Sequence, residues 1–417
     1  MESISITPTI INPKRVFKKT TGEEWYNYYA GFSDDFVSEI LNSFELPKDS
    51  VILDPWNGGG TTTLNCALAG YNVIGIDLNP VMNIVAKSKF SNTDDVLMAL
   101  DIVKYLRVNN YPNKLNDESD FLLNWFDFKT ASYIRYVSLF LQKKCNVISN
   151  SKVFSLIFLA LFKLVRKYIG KFIPSNPTWV KKAKDSNEKI SIEATKIKID
   201  LRNIIHEKLS ATFVDNVNSI GKEEFYCASS TKLPLKERSV DAVITSPPYC
   251  TRIDYGIATS PELAVLLGNH PAEIDNIRRT LTGRTTIDKR FLQIESLGLT
   301  AKKMLIEIFN HQSHASVSYY YKNFAQYFID INESLKQIKK VLKRNGYFAC
   351  VVQDSHYKEI YCDLALIFTE MAEENGLSLI HRQDFMSKFV MANINSKVKK
   401  YRDKITANET VLVFQAN

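Results

Sequence analysis

Apolar and polar residues along the chain fall into two rhythms. In residues 33 to 44, SDDFVSEILNSF, apolar residues recur at helical spacing behind a capping Ser33 and two acids. SVILDPW follows as a short apolar run stopped by a proline, the pattern of a buried strand. GGGTTTLNCALAG is a glycine loop running into a helix that ends near Gly70, and YNVIGIDLN is a second strand. Strand, helix and strand in that order predict a βαβ unit and a parallel sheet with a right-handed crossover. Later, VDAVITS reads as a strand. FAQYFIDINESLKQIKKVLKRNG reads as a long amphipathic helix ending at Gly346. YFACVVQD, YCDLALIFTEMAEENG and ETVLVFQ then read as strand, helix and closing strand.

The α/β alternation covers residues 30 to 90 and 222 to 417. Between them, residues 91 to 221 are mostly helical, aromatic and basic, so they are expected to form an insertion. The predicted organisation is residues 1–90 with the glycine loop, the insertion 91–221, and residues 222–417 with a smaller insertion at about 257–317. The fold class is α/β, a mostly parallel doubly wound sheet with a helical insertion.

Charge sharpens the picture of the insertion. The formal net charge is +8, and residues 151 to 220 hold 13 Lys and Arg against 6 Asp and Glu, an excess of +7. Such a concentration is the footprint of a polyanion partner, although a solvated helical face is also basic. In KLVRKYIGKFIPSNPTWVKKAK, residues 163 to 184, Lys163, Arg166, Lys167, Lys171, Lys181 and Lys182 are interleaved with Phe172 and Trp179. Basic residues of this kind hold phosphates, and the PSNPTW turn can present an aromatic ring or an amide to bases.

Composition excludes several classes. The opening MESISITPTIINPKR lacks the apolar core of a signal peptide. The most apolar stretch, VFSLIFLALFKLV at 153 to 165, is too short to span a bilayer and reads as a buried helix. The six cysteines are scattered without a CxxC pair, which predicts a cytoplasmic protein with neither a disulfide framework nor a zinc site. HQSH at 311 to 314 is the only His pair at ligand-like spacing. It has no nearby Cys or carboxylate ligand, so no metal is expected.

Two stretches carry chemistry. In LDPWNGGGTTT, Gly58 and Gly60 sit at a strand-to-helix turn, where a ligand can approach the backbone and the helix start favours an anion. Asp77 ends the next strand, 17 residues after Gly60, where an acid accepts hydrogen bonds from ribose hydroxyls. A dinucleotide or S-adenosylmethionine would fit. Thr63 occupies the position of the third glycine that a dinucleotide wants, and Asp54 can pair with an ammonium, so S-adenosylmethionine is favoured. The second stretch is DAVITSPPYCTRIDYG, residues 241 to 256. Two prolines end its strand without donating backbone hydrogen bonds, while their carbonyls stay free to accept. A rigid, acceptor-rich turn capped by an aromatic ring suggests a clamp for a flat molecule carrying an amino group.

Together these stretches resemble the amino-methyltransferase family of DNA methyltransferases. DPWNGGGTT is similar to the family's DPFxGxGTT, with Trp56 in the Phe place, and implies cofactor contacts at Thr61 and Thr62. GIDLNP resembles the ribose-holding segment, with Asp77 and Leu78. YYAGFSDDFVSEIL resembles the N-terminal motif in which an aromatic such as Phe32 packs near the cofactor. SPPY resembles the catalytic tetrapeptide, in the Ser form usual among N4-cytosine enzymes. LKQIKKVLKRNGYFACVVQD and ETVLVF resemble later elements of the family fold. Near YCASSTKLP, Ser229 or Ser230 stands where the family has an acid, so contact with the cofactor's adenine there is weaker or comes from elsewhere.

The resemblance implies a Rossmann-like fold and transfer of a methyl group from S-adenosylmethionine to an exocyclic amine of a flipped base in double-stranded DNA. N4 of cytosine is favoured over N6 of adenine. The implied setting is the protective half of a restriction system, with a cognate restriction enzyme as partner and no membrane. An RNA base methyltransferase and a non-catalytic DNA-binding protein are the alternatives. In the amine mechanism the Ser246 hydroxyl and the Pro247 carbonyl accept from the amine and stabilise its developing charge. Pro247 and Pro248 keep the acceptors rigid, and Tyr249 stacks on the extruded base. Cys250 is then a bystander. Arg252, Asp254 and Tyr255 either order the loop or touch the flanking strand, or form a local salt bridge and a core ring.

Overall fold

The computed structural model describes residues 10–14, 26, 31–115, 119–148, 151–174, 179–210, 212, 214–215, 219–250, 253–268, 270–287, 294–387 and 407–417. Helix α1 (Asp34–Ser43) starts at Ser33, whose Oγ accepts from Phe36 N at 3.3 Å. Strand β1 (Val51–Asp54), α2 (Thr61–Leu68), β2 (Asn72–Asp77) and α3 (Pro80–Ser88) form the βαβ unit and the helix after it. Helices α4 (Thr93–Lys104), α5 (Phe128–Ile148), α6 (Ser151–Tyr168) and α7 (Ala194–His206) then interrupt the sheet. It resumes with β3 (Glu223–Cys227) and β4 (Val240–Thr245). Helices α8 (Tyr255–Ala258), α9 (Ser260–Leu267), α10 (Pro271–Thr280), α11 (Leu299–Asn310) and α12 (Lys322–Val341) follow. The chain closes with β5 (Leu342–Gln353), the hairpin β6 (Ser355–Tyr357) and β7 (Ile360–Cys362), α13 (Leu364–Glu374), β8 (Leu377–Ser387) and β9 (Ala407–Ala416).

Among the described residues, seven strands make one sheet in the order β3-β2-β1-β4-β5-β9-β8. The first five are parallel, and β9 runs antiparallel to both its neighbours. Its central strands are apolar on both faces, as expected where helices cover both. Ile52, Ala242, Ile244, Ala349, Val351, Val411 and Val413 face α1 and α2. The alternate residues Leu53, Val243, Phe348, Cys350, Leu412 and Phe414 face α11, α12 and α13.

Two expected boundaries move. The long helix stops at Val341, and Gly346 lies within β5, where pairing with β4 slips between Val240 and Ala242. The predicted elements also omit β3 and β8, the two edge strands. An edge strand keeps polar residues, as in EEFYC and LSLIHRQDFMS, so no apolar run marks it.

Helices α4 to α7 share one core with α3, α9 and α10. The segment 257–317 is therefore divided in space. Its first part joins this helical lobe, whereas α11 packs on the sheet with α12 and α13. Arg135 on α5 ties the lobe together. Its Nε and Nη2 donate to Asp120 at 2.8 and 3.1 Å, and Nη1 donates to the Val265 carbonyl at 2.8 Å, with arginine and acid both buried. Asp120→Ala should cost about 3–5 kcal/mol, because it strands a buried guanidinium. A urea melt of the variant that coincides with the parent's would overturn this.

Candidate active site

The carboxyl ends of β1, β2 and β4 open onto one cleft. It lies where the strand order reverses beside β1, the place at which doubly wound sheets bind ligands. Asp54 ends β1 and is 4% exposed. Its Oδ1 accepts from the Trp56 amide at 3.1 Å and from Thr245 Oγ1 at 2.5 Å. Burial pushes its carboxyl up to about 6, against the pull of the hydrogen bonds from Thr245 and the Trp56 amide, and Asp77 adds to the rise. Asp77 ends β2, and its Oδ2 and Oδ1 accept from Gly58 N at 3.0 Å and Asn79 N at 2.8 Å. Burial pushes it up to about 6 as well, against those two amides.

Around these acids the cleft gathers Phe32, Trp56, Gly58, Thr61, Thr62, Leu78, Ser229 and Ser230. Phe32 packs on Phe36 of α1 with ring centroids 5.2 Å apart. Ser230 Oγ lies 2.9 Å from Ser334 Oγ, and Ser229 Oγ lies 2.8 Å from Thr231 Oγ1. Gly60 departs from the expectation, since it is not part of the cleft lining. With φ at +76° it turns the chain into α2, and a Cβ there would sit 2.7 Å from Ala86 Cβ on α3. It is glycine because the turn presses on a helix.

The SPPY turn forms the opposite wall, with all of Ser246, Pro247, Pro248 and Tyr249 on the cleft. Ser246 Oγ donates its proton to the Val351 carbonyl at 3.0 Å, so its lone pairs are left to accept. Cys250 is 1% exposed and lies in the core beneath the sheet, outside the cleft lining. Asp254 caps α8 at Ile257 N, and its Oδ2 accepts from Arg278 at 2.9 and 3.0 Å and from Thr285 Oγ1 at 2.6 Å. Asp254 thus orders the loop, and Tyr255 lines the cleft. Arg252 lies outside the described residues.

Sequence reasoning missed several lining residues, among them Asn57, Asn79, Met82, Thr259, Leu281 and Thr282. Asn79 had a signal: it precedes Pro80 and caps α3. Its Nδ2 donates to Thr259 Oγ1 at 2.8 Å, joining the end of β2 to the start of α9. Thr259, Leu281 and Thr282 come from far along the chain and carry no local mark.

The basic stretch divides. Lys167, Lys171, Lys181 and Lys182 are exposed, Lys163 is half-buried, and Trp179 is 50% exposed. Lys171 Nζ donates to the Glu188 carbonyl at 2.5 Å, and Lys182 Nζ lies 5.8 Å from the Phe121 ring centroid. Residues 175–178 of the PSNPTW turn lie outside the described residues. Arg166 corrects the expectation of a phosphate contact. Its guanidinium is taken by the fully buried Glu262, with Nη2 2.9 Å from Oε2 and a second contact through Nε, and by the Ala258 carbonyl. Tyr26 Oη donates to the same carboxylate at 3.1 Å. In the HQSH segment, His311 Nε2 lies 2.9 Å from Glu359 Oε1, and its Nδ1 accepts from Ser313 N at 3.0 Å. Among the described residues no helix is long and apolar enough to cross a membrane.

A parallel sheet with an acid at the ends of β1 and β2, and an antiparallel β9 slotted between β5 and β8, is a Rossmann-like methyltransferase fold. Sequence comparison places the chain among relatives of one kind. It is 24% identical to the Type II methyltransferase M.BsoBI of Geobacillus stearothermophilus over 306 residues, 66% of this chain and 58% of the relative. It is 23% identical to the Type II methyltransferase M.MvaI of Kocuria varians over 416 residues, 91% of this chain and 88% of the relative. Both relatives are Type II methyltransferases, and the low-identity similarity to M.MvaI runs over most of the chain. No family model matches it. A solved SAM-dependent methyltransferase from Methanosarcina mazei aligns with 90% of this chain and 96% of its own at 10% identity, with a TM-score of 0.31.

The raised carboxyls have a consequence for stability. Folded Asp54 takes up its proton near pH 6, against an ordinary 3.8. Its stabilising contribution is therefore full below about pH 4 and lost as pH rises through about 6. Asp54→Asn should raise the Tm of the ligand-free protein at about pH 7.5, and the gain should shrink towards about pH 5. A pH-independent difference in calorimetry would count against the assignment.

Proposed function

We propose that the protein is a DNA methyltransferase that uses S-adenosylmethionine and modifies an exocyclic amine, N4 of cytosine in preference to N6 of adenine. The observation that carries this reading is the placement of Ser246 Oγ. It is an acceptor with its own proton spent on Val351, on the same cleft as the acids Asp54 and Asp77. The relatives named as Type II methyltransferases support DNA as the substrate and a cognate restriction enzyme as the counterpart.

The cleft suits the cofactor in chemistry, with a few polar groups set among apolar walls. Asp54 offers a carboxylate to an ammonium. Each oxygen of Asp77 is already aimed by one backbone amide and keeps lone pairs for ribose hydroxyls. Phe32, Trp56 and Leu78 give apolar walls, while Thr61, Thr62, Ser229 and Ser230 add hydroxyls. Bound there, S-adenosylmethionine supplies an activated methyl group on a sulfonium.

The chain's own residues prepare the amine. Its lone pair is delocalised into the ring, so it is a poor nucleophile as it stands. Ser246 Oγ and the Pro247 carbonyl accept its N–H bonds, turn the lone pair out of the ring and stabilise the positive charge that develops. Most of the remaining work is positioning. Tyr249 gives a face for the extruded base, worth about 1–3 kcal/mol by analogy with other stacked bases. The Ser form of the tetrapeptide supports cytosine as the target.

Sequencing that separates N4-methylcytosine from N6-methyladenine, on DNA from cells making the protein, tests the reading. We expect N4-methylcytosine at a fixed site, lost with Ser246→Ala. Methyladenine would reverse the base preference, and unmodified DNA would sink the function. For the insertion we propose phosphate contacts through Lys167, Lys171, Lys181 and Lys182. Replacing all four with Ala should flatten the salt dependence of DNA binding by about 0.9 per lost contact on duplex DNA. An unaltered slope in a filter-binding titration would assign these lysines to solvent.

A further inference from the structure

We propose that Tyr327 is a positioning residue for the catalytic turn, selecting which of two consecutive prolyl carbonyls is presented to the base. The inference rests on the methyltransferase reading above. Pro247 and Pro248 have no N–H, so they cannot anchor the turn by donating from their own backbone. Their carbonyls need an outside partner to fix their direction. Tyr327, on the inner face of α12 and 2% exposed, donates from Oη to the Pro248 carbonyl at 2.9 Å. Pro247 precedes a proline and is thereby held in extended backbone, where neighbouring carbonyls diverge. Pinning the Pro248 carbonyl to α12 therefore turns the Pro247 carbonyl away from it. Among the described residues the Pro247 carbonyl accepts no hydrogen bond, so it is left for the amine.

A second grip sits one residue on. Tyr249 N donates to Tyr255 Oη at 3.3 Å. Gly283, with φ at +78°, lets the segment after α10 lie against the turn, since a Cβ there would approach the Tyr249 carbonyl to 3.2 Å. Burial holds the Tyr327 phenol well above its ordinary range, so it stays a donor across the working pH range. Tyr327 does not line the cleft, and its effect on chemistry passes through Pro248.

The test compares Tyr327→Phe with Phe328→Leu. Phe328 is fully buried on the same helix and its ring lies 5.9 Å from that of Tyr327, so its truncation costs packing in the same region. Single-turnover methyl transfer is followed on a DNA duplex carrying the target site, with radiolabelled S-adenosylmethionine and both substrates saturating. Tyr327→Phe should lose about tenfold in rate, equivalent to about 1.4 kcal/mol. Its cofactor affinity by calorimetry should match the parent's. Phe328→Leu should lower Tm and keep the parent rate. A parent-like rate for Tyr327→Phe, or equal rate losses in the two variants, overturns the inference. A crystal structure of Tyr327→Phe decides the positioning independently of activity: a Pro248 carbonyl that has swung from its inward position supports it, and an unmoved turn overturns it. An inactive parent protein would instead defeat the DNA methyltransferase reading, leaving the crystal structure to judge Tyr327.

Discussion

One carboxylate oxygen holds the two halves of the cleft in register. Asp54 Oδ1 accepts from the Trp56 amide, at the start of the glycine loop, and from Thr245 Oγ1, the residue before Ser246. The loops come from adjacent parallel strands, β1 and β4, whose partners Ile52 and Ala242 are 190 residues apart in the chain. Nothing local could align them. The parallel pairing brings their carboxyl ends to one level, and the shared oxygen fixes the last turn of each. Burying that carboxylate is costly, as its raised pKa shows, and a cationic ligand would offset the cost.

The helical lobe is joined to this cleft by buried charge. Arg166 of α6 reaches Glu262 of α9 and the Ala258 carbonyl, beside Thr259, which bonds to Asn79 at the end of β2. Tyr26 from the N-terminal segment meets the same glutamate. A cation in such a place is committed, because removing either partner leaves an uncompensated charge. The basic excess of the insertion therefore has two physical roles. Some of it is internal structure, and its exposed lysines form a positive surface.

Legibility from sequence followed the range of the interactions. Ser33, Asp54 and Asp77 each accept from an amide two or three residues on, and the prolines of the SPPY turn fix their own backbone, so local spacing marks these residues even where they also bond distant ones. Gly60 looked like part of the same glycine motif, yet its constraint is contact with Ala86, which no local pattern encodes. Arg166 looked like its lysine neighbours because a charge on a helix does not announce its partner 96 residues away. Tyr327 reads as one more aromatic on an amphipathic face, and only the sheet brings Pro248 to its hydroxyl.

By itself the sequence determined the parallel α/β core, the acids at two strand ends, the acceptor-rich turn and the basic helical insertion. Each is written in periodicity or in local backbone chemistry, where residue type and spacing are sufficient causes. Only the tertiary structure decided the edge strands, the fusion of α9 and α10 with the insertion, the withdrawal of Arg166 and the two tyrosines that grip the SPPY turn. Those depend on which distant surfaces meet, and such meetings are set by packing of the whole chain around the sheet.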